Sequence, residues 1–159
     1  RDLENDLDVW IIQMALAESV TARLRKHGFK CKTVEITVRN NGLYSFFRQM
    51  HLRQPTNITD EIVTAVFQLF KDNYKWGHPI RSLGIRAADL VLDDIPVQLD
   101  LFGNQEKKEK LEKLDRTVDE IRRRFGYFSI QRAAMYQDKV LSHLDAGTHT
   151  VHPHSYFHG

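Results

Sequence analysis

The chain has 159 residues, of which 42% are hydrophobic and 28% are charged, and its formal net charge is +2. This size supports one core of about 100 residues with appendages and is marginal for two full domains. No run approaches the roughly 18 apolar residues of a membrane span, and the acidic, polar start is unlike a secretory signal. We therefore expect a globular, cytoplasmic protein without a membrane partner, whose single cysteine, Cys31, is a small core or edge residue.

Positive charge is concentrated in the middle of the chain. Residues 20–86 contain 12 Lys and Arg against four Asp and Glu, a difference of +8. The acidic residues gather instead at the start and around residues 89–94. This distribution predicts a basic face suited to an anionic polymer.

The first elements predicted are a helix and a strand. Apolar residues recur at spacings of three and four through residues 8–27, and Gly28 follows as a residue that ends the helix. The apolar stripe of this helix consists of Val9, Ile12, Leu16, Val20 and Leu24. Residues 32–39 alternate between apolar and polar types before the turn sequence at 40–42, which predicts a strand entering a hairpin.

Residues 43–53 are predicted to form the returning strand of this hairpin, which Pro55 ends. The adjacent Phe46 and Phe47 break strict alternation and suggest a bulge. Two interpretations of Tyr44, Phe46 and Phe47 are open. Core packing is favoured over a platform on which nucleic-acid bases stack.

A second helix, capped by Asn57 or Thr59, precedes a third strand of about six to eight residues within 80–88. A third helix over 105–125 is indicated by apolar residues that step by three and four through a charged background. Its apolar stripe leaves three arrangements open: docking on the domain, a short coiled-coil dimer, or partial exposure.

These elements predict an α+β fold. Three strands form an antiparallel or mixed sheet backed by two helices, and an extended peptide and a third, amphipathic helix follow. We divide the chain into a first domain at 1–92, a linker at 93–104, an amphipathic helix at 105–126 and a partly disordered tail at 127–159. A short helix near 131–144 is possible within that tail.

The sequence lacks the usual signatures of catalysis. Asp93 and Asp94 are the nearest approach to a paired-carboxylate site and are better explained as a solvated linker. Phosphate-binding loop, nucleophile-elbow and cysteine-pair motifs are absent. Five histidines occur in the tail: His143, His149, His152, His154 and His158. A solvated tail is favoured over adventitious metal binding or a zinc site, so we expect no catalytic residue, metal or cofactor in this chain.

An ordered set of phrases carries a resemblance to a known family. They are LDVWIIQMALAESVTARLRKHGFKCKTVEITVR, PTNITDEI, HPIRSLGIRAADL, QLDLF, and KLEKLDRTVDEIRRRFG followed by SIQRA. Together, over residues 3–136, they resemble the C-terminal part of bacterial Y-family translesion DNA polymerases of the DinB/UmuC (ImpB/MucB/SamB) type. The resemblance implies a little finger domain, a four-stranded sheet backed by two helices, which holds primer-template duplex in DNA damage tolerance.

The chain departs from that family pattern in two ways. A strand precedes the first helix in the family, whereas here it is absent or residues 3–6 are its remnant. An incomplete sheet edge, or the third helix, could pair with a second copy to form a homodimer. The palm, fingers and thumb are also missing, so the Mg²⁺-dependent nucleotidyltransferase chemistry belongs to the implied parent and this part is expected to be noncatalytic.

The basic middle of the chain supplies the candidate contacts to DNA phosphates. Lys and Arg contacts to phosphates position a duplex without reading its sequence. The first choices are Arg39, Arg53, Arg81 and Arg86, and the second are Arg48, Lys30 and Lys32. Arg48 and Arg53 have opposite parity, so both reach one face only if an irregularity reorients one. The alternative is a protein-interaction module whose basic residues merely keep it soluble.

A short apolar peptide follows the predicted linker proline. It consists of Gln98, Leu99, Asp100, Leu101 and Phe102. Its Gln-Leu-x-Leu-Phe form resembles the peptide with which bacterial polymerases and repair proteins bind the β sliding clamp. The resemblance implies that Leu101 and Phe102 enter a hydrophobic pocket while Gln98 bonds at its rim. The alternative is that the leucines fold back onto the first domain.

Overall fold

The computed structural model of the chain describes residues 1–94 and 105–144. Its main elements are α1 (Asp6–His27), β1 (Phe29–Asn40), β2 (Ser45–Thr56), α2 (Thr59–Asn73), β3 (Ile80–Leu92), α3 (Gln105–Phe125) and α4 (Lys139–Ser142). Short 3₁₀ turns at Tyr127–Ser129 and Ala133–Gln137 join the last two helices. The predicted α+β class and element order are confirmed. The predicted extended peptide lies outside the described residues.

The sheet is antiparallel and has the order β2-β1-β3. On one side of the central strand, Val34, Ile36 and Val38 are buried beneath α1 and α2. We call the opposite side the outer face, and the register assigns residues to it by cross-strand pairing. The outer face comprises Ser45, Phe47, Gln49 and His51 of β2, Thr33, Glu35, Thr37 and Arg39 of β1, and Ser82, Gly84, Arg86 and Ala88 of β3.

The irregularities of the sheet differ from those predicted. Pairing continues one for one through Phe46 and Phe47, so the bulge suggested there is wrong. The irregular stretch of β2 is instead 52–55, which lies opposite the single residue Lys32. Pro55 does not end the strand as predicted, since β2 runs to Thr56. It fits there because a bulged edge strand does not need its missing N–H. β3 is also longer than predicted, at 13 residues.

The residues before α1 contribute one bridge to the sheet. Leu3 pairs with Ile80 of β3 through two backbone hydrogen bonds of 2.8 Å. The Leu3 side chain is buried in the core. Of the expected strand remnant at 3–6, Leu3 alone is paired with the sheet.

α1 is buried on more sides than its predicted stripe requires. Val9 and Leu24 are buried as expected, but Ile12, Leu16 and Val20 are only partly buried. The buried residues outside the stripe include Ile11, Gln13, Met14, Ala15, Ala17, Glu18 and Thr21. The reason is that α1 lies between the sheet and α2 on one side and the elements of 105–144 on the other, so no single stripe describes its burial.

α2 is capped by a side chain that is distant in sequence. Neither Asn57 nor Thr59 caps it, because the N-cap position is Ile58, which makes no side-chain cap hydrogen bond. The backbone N–H of Thr59 instead donates to a carboxylate oxygen of Asp115 in α3 at 2.9 Å. A carboxylate at this position satisfies a free amide and complements the positive end of the helix dipole.

α3 docks on α1 and on the start of α2 through a set of charged side chains that we call the ion cluster. The ion cluster consists of Glu18, Arg25, Asp115, Asp119, Arg122 and Arg132. The Arg25 side chain is 7% exposed and donates to Asp119 at 2.7 and 2.9 Å and to Asp115 at 3.3 Å. α3 is thus docked on the domain through its charged residues, while its apolar stripe is partly exposed, with Leu114 at 49% and Phe125 at 73%. The coiled-coil dimer stays a prediction.

The chain beyond α3 is also attached to the domain. Glu18 accepts hydrogen bonds from Arg122 at 3.0 Å and from Arg132 at 3.1 Å. Met135 and Leu141 are buried in the same core as the sheet. Residues 105–144 therefore form a further layer over α1.

Candidate nucleic-acid interface

The outer face is open to solvent over most of its length, although Thr33 at one end of it is buried. Eight of its twelve residues are exposed, namely Ser45, Phe47, Gln49, His51, Thr37, Arg39, Ser82 and Arg86. α1 and α2 cover the opposite side, where the apolar residues of β1 point. Alternation along three paired strands therefore presents a polar surface on a rigid sheet.

Two predicted phosphate contacts lie on this face. Arg39 stands between Ser45 and Ser82 in one cross-strand row, and Arg86 pairs with Glu35 in another. The rows are four residues apart, or about 13 Å at the usual rise of a strand. The Arg86 side chain is 70% exposed and its guanidinium lies 3.9 Å from the Glu35 carboxylate. This contact leaves most of the guanidinium free for another anion.

Arg81 lies beside this surface in an irregularity of β3. Arg39 pairs with Ser82 while Asn40 pairs with Ile80, so Arg81 is the extra residue of a bulge. It is exposed. A bulge reorients the side chain that it carries, which places Arg81 next to Arg39 at one end of the outer face.

Arg48 lies on the other side of the sheet. Its register partner is Ile36, a core residue. Its guanidinium donates to Asn73 of α2 at 3.2 Å and to the Phe47 carbonyl at 2.8 Å, and lies 5.3 Å from the centre of the Phe46 ring. No irregularity brings Arg48 to the outer face.

The other three predicted contacts do not join Arg39 and Arg86. Arg53 falls in the irregular stretch of β2 and lines a groove between β2, α2 and the first turns of α3. Lys30 and Lys32 are at the far end of β1, seven or more residues from Arg39. The structure thus brings together three of the seven candidates, Arg39, Arg81 and Arg86.

A polar network that sequence reasoning missed crosses the three strands. The Thr33 hydroxyl donates to Asp89 at 2.5 Å and lies 2.8 Å from Nδ1 of His51. Because the Thr33 proton is directed to the carboxylate, its lone pair accepts from Nδ1–H of His51. Asp89 adopts φ +53°, an unusual conformation for a non-glycine residue in a strand. Local alternation gives no signal for that backbone angle.

The aromatic residues of the hairpin are divided between two environments. Phe46 is partly buried and its ring lies 6.2 Å from that of Tyr74 in an aromatic cluster above α2. Core packing is therefore confirmed for Phe46. It is wrong for Phe47, which is 63% exposed on the outer face, and for Tyr44, which is 60% exposed.

The described residues offer no metal centre. Within 1–94 and 105–144, no three His, Cys, Asp or Glu side chains are grouped to hold an ion. The His143 ring stacks on Phe128 at 4.2 Å, and the other tail histidines lie outside the described residues. Cys31 is fully buried, and burial raises the pKa of its thiol to about 11. A thiol in that state is a poor nucleophile.

Two other findings bear on the predicted partners. The clamp-binding candidates Gln98, Leu99, Asp100, Leu101 and Phe102 lie outside the described residues. Among the helices of the described part, none has the length and apolar character needed to span a membrane.

Comparison with known proteins identifies the family to which this fold belongs. Residues 1–101 match the C-terminal domain of the impB/mucB/samB family. The chain therefore belongs to this family, as the sequence phrases predicted.

Two of the relatives that the chain matches are DNA polymerases. The chain is 41% identical over 144 residues to DNA polymerase IV of Acetivibrio thermocellus, an alignment that covers 91% of this chain and 36% of the relative. It is 36% identical over 138 residues to DNA polymerase IV 2 of Bacillus subtilis, covering 84% of this chain and 32% of that protein. The chain spans about a third of the length of these curated relatives.

Proposed function

We propose that this chain is the DNA-holding and clamp-tethering part of an error-prone translesion polymerase. The observation that carries the proposal is the exposed outer face, on which Arg39, Arg81 and Arg86 extend from a sheet anchored by its buried side. Membership of a family with DNA polymerase IV relatives supports DNA as the partner.

The mode of DNA binding follows from the residue types on this face. Arginine forms bidentate contacts with phosphate oxygens, and such contacts are independent of base sequence. A sheet that holds primer-template duplex by its backbone tolerates any template, which damage bypass requires. Glu35 and Asp89 lower the local positive potential, so affinity is expected to be moderate.

We further propose that the peptide 98–102 binds the β sliding clamp. Burying its three large apolar side chains yields roughly 1.5 to 3 kcal/mol each. After the costs of ordering, an affinity on the order of micromolar remains. The chain on both sides of this peptide is attached to the sheet domain, which supports its use as a short tether. The Asp93 amide donates to the Gly28 carbonyl at 2.9 Å, and Lys108 of α3 donates to Gln54 at 3.1 Å.

This proposal assigns catalysis to the parts of the curated relatives that the alignment with this chain does not cover. Two-metal phosphoryl transfer requires carboxylates that hold ions about 3.5 to 4 Å apart. The isolated chain should therefore extend no primer with Mg²⁺ and all four triphosphates. Templated incorporation by the pure chain would contradict this assignment.

The test of DNA binding is a titration with random-sequence duplex at several salt concentrations. Because each phosphate contact releases counterions, the logarithm of the binding constant should fall linearly with that of salt. A salt-independent affinity, or strong preference for one sequence, would reject the proposal in favour of a protein-interaction module.

The test of clamp binding is a calorimetric titration with purified β clamp. Leu101→Ala combined with Phe102→Ala should abolish the binding seen for the wild-type chain and leave its duplex affinity intact. Equal binding by the double variant would show that this peptide is not the tether.

A further inference from the structure

Phe47 has no role in the phosphate contacts proposed above. It is 63% exposed in the middle of β2 on the outer face. The neighbouring Phe46 points to the other side and joins the aromatic cluster there. Exposing an aromatic side chain forgoes burial that would stabilise the fold, and Phe47 does so on the sheet face that carries Arg39 and Arg86.

The surroundings of Phe47 leave room for a flat ligand. Its register partner on β1 is Thr37, which pairs in turn with Gly84 of β3. A Cβ built at Gly84 would lie 3.7 Å from the Thr37 Cβ, an ordinary contact, and the φ of Gly84 is outside the left-handed region. Glycine is therefore not required for backbone conformation here. What it provides is a position without a side chain in the row of Phe47, on the far side of Thr37.

The charged residues around Phe47 indicate the class of ligand. Arg39 is in the adjacent row, diagonal to Phe47 across the two strands, which corresponds to about 7 to 8 Å. Arg86 stands one row away on the other side. An aromatic ring between exposed guanidinium groups matches a nucleotide, whose base has a flat apolar face and whose phosphate is an anion.

We propose that Phe47 stacks on an unpaired base of single-stranded DNA while Arg39 contacts that strand's phosphate. The inference rests on the proposed DNA-binding function and extends it from duplex backbone to the exposed template strand. An intact duplex already stacks its bases on one another, so a ring face on the protein gains a partner only where a base is unstacked.

The experiment compares two single-stranded probes with the same number of phosphates, oligo(dT) and a fully abasic oligomer. The wild-type chain should bind oligo(dT) more tightly, by on the order of tenfold for one stacked base. Phe47→Ala should reduce this ratio to near one, whereas Phe47→Trp should keep it. Because Phe47 is exposed, circular dichroism should show an unchanged fold for both variants.

Tyr44 provides a matched control on the same hairpin. It is 60% exposed, and its ring lies 6.0 Å from Phe46, on the other side from Phe47. Tyr44→Ala should therefore keep the preference for oligo(dT). A preference that survives in Phe47→Ala, or is absent in the wild type, would overturn the inference.

A duplex titration separates failure of this inference from failure of the proposed function. Phe47→Ala should bind random-sequence duplex within about twofold of wild type, since phosphate contacts carry that affinity. If duplex binds but the two single-stranded probes bind equally, only the stacking inference is wrong. If no DNA binds at any salt concentration, both are wrong.

Discussion

The arginines of the outer face and those of the ion cluster come from one chain but have opposite environments. Arg39 and Arg86 are exposed, and the nearest carboxylate to Arg86 is 3.9 Å away. The Arg25 side chain is 7% exposed and is held by two carboxylates. Charge in the first region is available to a partner, whereas charge in the second is used within the fold.

This difference shows how far a count of charges can mislead. Residues 20–86 have an excess of eight positive charges, yet Arg25 is neutralised inside the protein and Arg48 lies on the helix side. A basic segment becomes a basic surface only where the fold leaves its cations without internal partners. Substitutions in the two regions should therefore change different properties, the stability in one and DNA affinity in the other.

The largest effect is expected for Arg25→Met, which keeps much of the aliphatic stem and removes the charge. Asp119 and the Asn57 carbonyl would lose the hydrogen bonds that they accept from Arg25, and Asp115 would lose one of its partners. Removing one member of a buried ion pair typically costs about 3 to 5 kcal/mol. Urea denaturation should show a loss of that size in the free energy of unfolding.

The control for Arg25→Met is Arg123→Met in the same docked helix. Arg123 is 69% exposed and pairs with Glu120 at 2.7 Å on the surface. Such pairs contribute little to stability because water screens them. The denaturation midpoint should not change measurably, and a loss similar to that of Arg25→Met would contradict the special role of the ion cluster.

On the outer face, Arg39→Ala combined with Arg86→Ala should reduce duplex affinity with no change in stability. Each lost phosphate contact should lower the slope of the log–log salt dependence by about one. The measurement is a fluorescence titration with random-sequence duplex at several salt concentrations. The control is Arg48→Ala, which removes one positive charge from the other side of β2. The salt slope of this variant should stay at the wild-type value.

The pH dependence of stability should distinguish Asp115 from Asp8. Desolvation by burial raises the pKa of Asp115, although the Thr59 amide and Arg25 oppose the shift. A raised folded-state pKa contributes stability at low pH that is lost as pH rises above about 3.8. The stability of wild type relative to Asp115→Asn should therefore decline as pH rises from 3.8 through the raised pKa of Asp115.

Asp8 should behave in the opposite way. Burial acts to raise its pKa, but hydrogen bonds from Arg1 and from the Glu4 amide lower it below the ordinary value of 3.8. Its contribution to stability is therefore present above that value and is lost as pH falls through the lowered pKa. Urea denaturation of Asp8→Asn and wild type at pH 2 to 5 checks the sign, and the same sign for both residues would refute the distinction.

Local sequence pattern was enough to predict β1 and α3. The alternation of β1 and the steps of α3 were sufficient, because a strand or helix with one buried face repeats its signal. The cap on α2 could not be predicted from local pattern, since Asp115 is 56 residues from Thr59, whose amide donates to it. The stripe of α1 failed for the same reason, because the layer that covers its second side comes from 105–144.

The candidate site shows the same limit. Parity separated Arg48 from Arg53, but which of the two sides of the sheet each would reach depended on the register. Arg53 was predicted as a phosphate contact like Arg39, and its place in the irregular stretch 52–55 was missed because that stretch has no clear signature apart from Pro55. The network of His51, Thr33 and Asp89 requires a backbone angle at Asp89 that no local pattern predicted.

The smallest effect is expected for Asp89→Asn, which removes a negative charge beside the outer face. Asn tolerates positive φ as well as Asp and retains an oxygen that can accept from Thr33. With less repulsion of phosphates, duplex affinity should rise by about two- to fivefold at low salt, an effect that screening reduces at higher salt. Asp72→Asn is the control, because Asp72 lies on α2, behind the sheet, where it accepts from Gln68 at 2.8 Å. It changes net charge equally, so a similar rise for both variants would mean that overall charge, and not the outer face, governs DNA affinity.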